Sequence, residues 1–335
     1  MQFCNYKKSL KAFASVVALT TGLLGAHEKA LANDAAKNYP DRPVRIIVPV
    51  SAGGSTDIIT RIVAQKLGEI WKQTVIVENL TGGGGAIGAA RAAKANPDGY
   101  TLVAHGDTIL LNTITMKNPP YTMDDFVGAN RFVVNPQVLV SNPKFAPKNI
   151  KEYIEYAKKT PNGISLAVPT NGGIGHITHV MLEKDAGISV THVPYKGGAP
   201  AAIDTIAGHV DATIITLAAV AEYINQGSLV ALAVSTPERS PQFPNVPTMA
   251  ESGYPNTVVE SWQGILAPKN TPKEIVDKLH RDIATVMSDP HVIKLAEAQG
   301  FMVSPMPSTE AFNQWLKKEH VKYGNIVKSS GMTVN

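Results

Sequence analysis

A short apolar run, a glycine-rich turn and then a helical pattern occur in that order twice in this chain, and the pairing restricts the fold more than any other feature. The first turn is Pro49-Val50-Ser51-Ala52-Gly53-Gly54-Ser55-Thr56-Asp57, after the run Val44 to Pro49. The second is Pro169-Thr170-Asn171-Gly172-Gly173-Ile174-Gly175-His176, after Ile164 to Val168. Helical periodicity follows each: Ile58, Ile59, Ile62, Val63 and Leu67 in one case, Ile177, Val180, Met181 and Leu182 in the other. A strand that ends in glycines at the start of a helix aims unpaired backbone N–H groups and the positive helix end at one point. Two such turns facing each other across a cleft would hold a small carboxylate from both sides.

The rest of the chain repeats the alternation, the mark of an α/β protein with largely parallel sheets. Val44 to Val50, Thr74 to Glu78 and Thr101 to Ala104 read as strands, with helices at Asp57 to Trp71 and Ala86 to Ala95. In a second block Asn149 can cap a helix through Ile150, Tyr153, Ile154 and Ala157. Strands follow at Ile164 to Val168, Ser189 to Val193, Val210 to Thr216 and Leu229 to Val234. Phe126 to Ser141 and the proline-rich Ser235 to Thr248 read as two crossings between domains, and helices from Pro272, His291 and Ser308 return to the first domain. The expected organisation is a discontinuous domain of residues 33–138 and 240–335 around a domain of residues 139–239, with a two-crossing hinge.

The leading residues 1–32 read as a signal peptide. Lys7, Lys8 and Lys11 form a basic region, Ala12 to Ala26 an apolar one, and Ala30-Leu31-Ala32 a small-x-small cleavage site. The apolar run is short of the ~20 residues a membrane span needs. Cleavage after Ala32 places a mature, exported chain of 303 residues beginning at Asn33. The only cysteine, Cys4, leaves with the leader, which excludes disulfides and thiolate-bound metals from the mature protein. Four lysines and Glu28 leave too, so the net charge falls from +4 to +1. No basic run interleaved with aromatics points to nucleic acid.

Three other constellations compete. Gly83-Gly84-Gly85-Ala86-Ile87-Gly88 is a literal G-x-G-x-x-G between a strand and a helix, with Asp107 placed 19 residues beyond Gly88 as a ribose-binding acid would be. It follows the second strand of its domain rather than the first, and an exported protein is remote from nicotinamide pools; the plain reading is a turn that lets helix and strand pack closely. His176, His179 and His192 invite a zinc site, but no metalloprotease spacing occurs, and a ligand-facing His176 with a structural His179 is the preferred reading. A serine nucleophile lacks its elbow: no G-x-S-x-G occurs, and Ser51 and Ser55 have no recognisable base. Asp57 divides between capping and ligand contact, Thr170 and Asn171 between turn formation and binding, while Trp262 and Tyr195 read as packing residues.

The ordered motifs resemble one family. Tyr39-Pro40-Asp41-Arg42-Pro43-Val44-Arg45-Ile46-Ile47-Val48-Pro49, Gly53-Gly54 to Asp57, Val77-Glu78-Asn79 and Pro97-Asp98-Gly99-Tyr100-Thr101-Leu102 come first. His192-Val193-Pro194-Tyr195-Lys196-Gly197, Ala199-Pro200 and Asn245-Val246-Pro247-Thr248 follow. Together they resemble the periplasmic solute-binding proteins of tripartite tricarboxylate transporters, the TctC or Bug family. The resemblance implies a type II periplasmic binding-protein fold of two α/β domains, with a mono- or dicarboxylate held in the cleft by the two turns. It also implies delivery to a large and a small integral membrane subunit without ATP hydrolysis at the carrier. The chain departs from the family pattern in two places. His176 stands where the family's second turn usually has serine. Leu80-Thr81-Gly82-Gly83-Gly84-Gly85 replaces Arg-Pro-Gly-Ala-Gly-Gly, a change expected to lie away from the anion site.

The expected protein is a monomeric, non-enzymatic receptor without cofactor or metal. Its ligand residues are Ser51, Gly54, Ser55 and Asp57 from one lobe and Thr170, Asn171, Gly172, Gly175 and His176 from the other, with Thr108 as a wall. With no arginine in either turn, backbone N–H groups and hydroxyls must neutralise the anion. The His176 ring is expected to bond the carboxylate, with affinity rising as pH falls through the imidazole range. The alternatives are an exported NAD-dependent or metal-dependent enzyme, and a ligand sensor for a signalling receptor.

Overall fold

The computed structural model describes residues 38–330 apart from Lys196, so the leader and its cleavage point lie outside the described residues. The first lobe opens with β1 (Val44–Val48), α1 (Ser55–Trp71), β2 (Val75–Asn79), α2 (Ala86–Ala93), β3 (Thr101–Gly106) and α3 (Thr108–Thr115). Its central strand, β1, lies between β2 and β3 and parallel to both. After β4 (Phe126–Ser141) the second lobe follows as α4 (Ile150–Lys159), β5 (Ser165–Val168), α5 (Ile174–Ala186), β6 (Thr191–Pro194), α6 (Gly198–Ala207), β7 (Ala212–Thr216), α7 (Leu217–Asn225) and β8 (Val230–Val234). Here β5 lies between β6 and β7, again parallel to both. The chain returns through β9 (Glu260–Pro268), α8 (Lys273–Met287), α9 (Pro290–Ala298), β10 (Met302–Val303) and α10 (Thr309–Ser330).

The crossing at Phe126 to Ser141 is a single strand of 16 residues. Phe126 to Pro136 pairs with β9, whereas Gln137 to Ser141 pairs with β7 and β8, all antiparallel. The sheets are therefore parallel within β1–β3 and β5–β7 and antiparallel where the chain passes between lobes. The second crossing, expected at Ser235 to Thr248 with residues from 240 onward in the first domain, falls later: it runs through Val259, which donates to the Ser235 carbonyl just before β9. Before it, Phe243 and Val246 pack beside Val138 and Val140, and Met249 and Tyr254 beside Leu139 and Ile154, all in the second lobe.

The local reasons for these elements are plain in the residues. Helix α1 buries Ile59, Val63 and Leu67 completely, at positions i, i+4 and i+8 on one face. Each such side chain contributes about 1.5–3 kcal/mol, so Leu67→Ala should cost about 2–5 kcal/mol. These residues join Ile46, Val48, Leu279 and Ile283 on one side of the first sheet. On the other side α2, α3 and α10 pack Ala89, Ile109, Leu110 and Phe312 around Trp262. Asn149 caps α4 by accepting from Glu152 N–H at 3.0 Å. Among the described residues no helix is long and apolar enough to cross a membrane.

Candidate functional site

Helix N-termini converge on the space between the lobes. A cavity of about 560 Å³ is lined by Thr108 at the start of α3, by Pro169 to His176 entering α5, by Gly198 opening α6 and by Thr216 preceding α7. Gly83 and Gly84, just before α2, close the first-lobe side, and Gln137 stands where β4 changes lobes. None of its described lining residues is a lysine or arginine. Its one acidic lining residue, Asp107, is buried, and burial pushes its carboxyl pKa up; the positive ends of helices with hydroxyl and amide donors then suit a small anion. Two larger hollows, of about 780 and 690 Å³, lie beside the β1–β2 edge and beside α10. Neither gathers helix N-termini, so the interlobe cavity is the candidate site.

The second-lobe expectations meet in one place: Thr170, Asn171, Gly172, Gly175 and His176 all line the cavity. Gly175 is required there, because a Cβ would sit 2.6 Å from the Ile214 carbonyl oxygen of β7. Thr108 lines the facing wall. The first turn is placed differently. Ser51 and Ser55 are exposed, Gly54 is half-buried, and none of them borders the cavity. The turn nevertheless emerges from the same sheet edge as Thr108, since β1 and β3 are parallel neighbours. Asp57 is buried and fully engaged: it accepts from Gly53 N–H at 2.8 Å, Arg61 Nε at 3.0 Å and Asn79 Nδ2 at 2.9 Å. Burial raises its pKa, but these donors outweigh it and hold the carboxyl below the usual range. Asp57 therefore fixes the first turn and has no acceptor to spare for a ligand.

Two sequence expectations require correction. The glycine run was expected to lie away from the anion site, yet Gly83 and Gly84 line it, with Asn112 Nδ2 donating to the Gly84 carbonyl at 3.1 Å. Its other glycines serve close packing: a Cβ on Gly88 would lie 2.5 Å from the Leu80 carbonyl. Asp107 lines the cavity as well, with its Oδ1 accepting from the Ser261 hydroxyl at 2.8 Å and Trp262 N–H at 3.0 Å, which ties it to β9. The second correction concerns His176. Gly172 N–H donates to its Nδ1 at 3.1 Å, so the ring proton sits on Nε2 and is directed to His192 Nδ1 at 3.0 Å. Burial, with His192 and His179 nearby, pushes its pKa down to about 4. The ring is neutral, both nitrogens are occupied, and its role is to hold Gly172 in the left-handed conformation, φ +70°.

Asn112, Gln137, Gly198 and Thr216 also line the cavity and escaped sequence reasoning. Thr216 could have been found by the rule that placed Thr108, since it ends the parallel strand β7 as Thr108 follows β3. Trp262 is fully buried, and Tyr195 is half-buried and donates its hydroxyl to Asp204, both as packing residues.

Comparison with known proteins identifies the architecture. Residues 59–332 match the family described as the tripartite tricarboxylate transporter family receptor, TctC. This chain belongs to the TctC family. It is 34% identical over 300 residues to Protein BugT of Bordetella pertussis, covering 88% of this chain and 91% of that one. Among solved structures it resembles the periplasmic binding protein BugD, with TM-score 0.73, 34% identity and coverage of 88% and 99%. MatC from Rhodopseudomonas palustris, solved with bound malate, gives TM-score 0.72 at 26% identity, covering 86% and 100%. An R. palustris protein solved with adipate gives TM-score 0.77 at 29% identity, covering 88% and 99%. TctC members are periplasmic solute-binding proteins, and the fold here is of that type.

Proposed function

We propose that this TctC protein captures a small organic carboxylate between its lobes and delivers it to the large and small membrane subunits of a tripartite tricarboxylate-type transporter. The observation that carries this reading is the convergence of the starts of α3, α5, α6 and α7 on a cavity without a described basic side chain. Four helix N-termini favour an anion, and the hydroxyls of Thr108, Thr170 and Thr216 with the Gln137 amide offer directional donors. The malate and adipate bound to two relatives make dicarboxylates the first class to test. On closure of the lobes, Ser51, Gly54 and Ser55 would swing from the C-terminal end of β1 onto the ligand, with Asp57 behind them. Export by a leader cleaved after Ala32 and action as a monomer belong to the same proposal.

A thermal-shift screen across aliphatic, amino and aromatic carboxylates tests it. A ligand at 100 times its Kd adds about 2.7 kcal/mol of stability, whereas the matching neutral amides should add none. A screen in which neutral or cationic solutes stabilise the protein and no carboxylate does would refute the reading.

A further inference from the structure

Behind the His176 ring, away from the cleft, lies a second cluster. His179 and Glu183 stand one turn apart on α5, and His192 reaches them from β6. Glu183 Oε2 is 3.8 Å from His179 Nδ1 and 3.2 Å from His192 Nε2, and the three donor atoms lie within 4.8 Å of one another. Neither ring nitrogen has a directed hydrogen-bond partner, although both are buried. His179 is entirely inside the protein, so its orphaned nitrogen is costly unless something satisfies it.

We propose that His179 Nδ1, Glu183 and His192 Nε2 form a site for a divalent cation of the zinc class. Tetrahedral zinc, with bonds of about 2.0–2.1 Å to nitrogen, sets its donor atoms ~3.3–3.4 Å apart, so the Glu183–His192 pair is already at that spacing and the widest pair, up to 4.8 Å apart, must close by up to ~1.4 Å. Two imidazoles and one carboxylate select borderline metals such as Zn²⁺ or Co²⁺ over Mg²⁺ and Ca²⁺, which take oxygen cages. Val190 N–H donates to Glu183 Oε1 at 2.9 Å and fixes the carboxylate, while Oε2 faces the two rings. Outer partners are present: Tyr153 Oη lies 3.0 Å from His179 Nε2, and His176 Nε2 lies 3.0 Å from His192 Nδ1. The His192 and Glu183 side chains keep 23% and 17% of their surface exposed, which leaves an entry and room for a water in the fourth position.

The same geometry ties the site to the cleft. A metal on His192 Nε2 moves that ring's proton to Nδ1, opposite the His176 Nε2–H. His176 must then carry its proton on Nδ1, which faces Gly172 N–H and displaces it. Occupancy is thus felt at the second glycine turn.

Titration of tag-free, chelator-treated protein with Co²⁺ and then Zn²⁺ tests the proposal. One equivalent of Co²⁺ should bind saturably with the strong visible bands of a four-coordinate site, and Zn²⁺ should displace it. The Gly172 amide resonance should shift as Zn²⁺ is added. Glu183→Gln, which keeps an acceptor for Val190 N–H, and His192→Ala should each lower affinity by at least ~10–100-fold. His209→Ala, at an exposed histidine elsewhere, should not. Melting curves of the metal-free variants show that they are folded. Absence of saturable binding to a folded parent, binding that survives both substitutions, or a Gly172 resonance unmoved by bound Zn²⁺ would overturn the proposal.

Discussion

Adding one methyl group at Gly175 and one at Gly324 should move stability in opposite directions, and only the first should reach the cleft. Both glycines are helical, in α5 and α10. At Gly175 the new Cβ would lie 2.6 Å from the Ile214 carbonyl oxygen and 3.4 Å from Gln137 Oε1. Ile214 sits on β7, held between β4 and β5, so it cannot retreat. Helix α5 must instead back away by about 0.8 Å to bring the contact to 3.4 Å. Overpacking of this kind costs about 1–3 kcal/mol, or ~2–4 °C of Tm per kcal/mol in a domain of this size. The displaced helix carries Gly172, Gly173 and His176 with it. Loss of one ligand hydrogen bond, about 0.5–1.5 kcal/mol, corresponds to up to roughly tenfold in Kd. At Gly324 nothing lies within 4 Å, so alanine should stabilise α10 by about 1 kcal/mol and leave affinity unchanged. Calorimetric melting with titration of a binding dicarboxylate measures both effects. A Gly175→Ala protein that melts and binds like the parent would refute the close approach of α5 to β7.

Other outcomes follow from single residues. Asp57→Ala should lose about 1–3 kcal/mol at pH 7; because the native carboxyl titrates below its unfolded value, the gap to the parent should close as pH falls below about 4, as followed by urea unfolding. His105 is fully buried with its pKa pushed down to about 4, against 6.5 unfolded, so its contribution is complete above about pH 6.5 and lost as pH falls toward 4. His105→Gln, which retains an acceptor for Gly106 N–H, should flatten that part of the urea midpoint profile, and an unchanged slope would count against the neutral buried ring. Saturating ligand should shrink the particle by lobe closure; superimposable scattering curves with and without it would argue for a rigid cleft.

Much of this architecture was legible in the chain because its signals are local. Alternating runs and caps placed β1, α1, α4 and the returning helices within a residue or two, and Asn149 caps α4 as expected. Strand β9 was not legible. Its first residues, Glu260-Ser261-Trp262-Gln263-Gly264, show no apolar alternation, and Ser261 and Gln263 are buried only because Asp107 and Asn135 bond them from distant segments. Helix α3 starts directly after β3 without a glycine turn, so nothing announced it. At the site, the second turn could be read because its residues are contiguous. Gln137, Asn112 and the gathering of Glu183 with His179 and His192 depend on which strands are neighbours, which no local pattern encodes.

Topology also bears on the first turn, which borders none of the cavity. The two lobes repeat one plan, with order β2-β1-β3 in the first and β6-β5-β7 in the second. In the first lobe α1 packs on one face of the sheet, and α2 and α3 pack on the other. In the second, α5 packs on one face, and α6 and α7 on the other. The helices thus part at β1/β3 and at β5/β7, and ligands of open α/β sheets bind at such switch points. In the second lobe both flanking turns, the one after β5 and Thr216 after β7, line the cavity. In the first lobe Thr108 after β3 does so, and its counterpart by the same plan is the turn after β1. Ser51, Gly54 and Ser55 therefore occupy the position equivalent to Thr170 to Gly175. This equivalence is the physical ground for proposing that closure completes the site with them. If so, Ser55→Ala should weaken ligand binding while leaving the melting of the ligand-free protein unchanged, since Ser55 is exposed. Equal affinity in parent and variant would leave the anion to the second lobe, Thr108 and the glycine run alone.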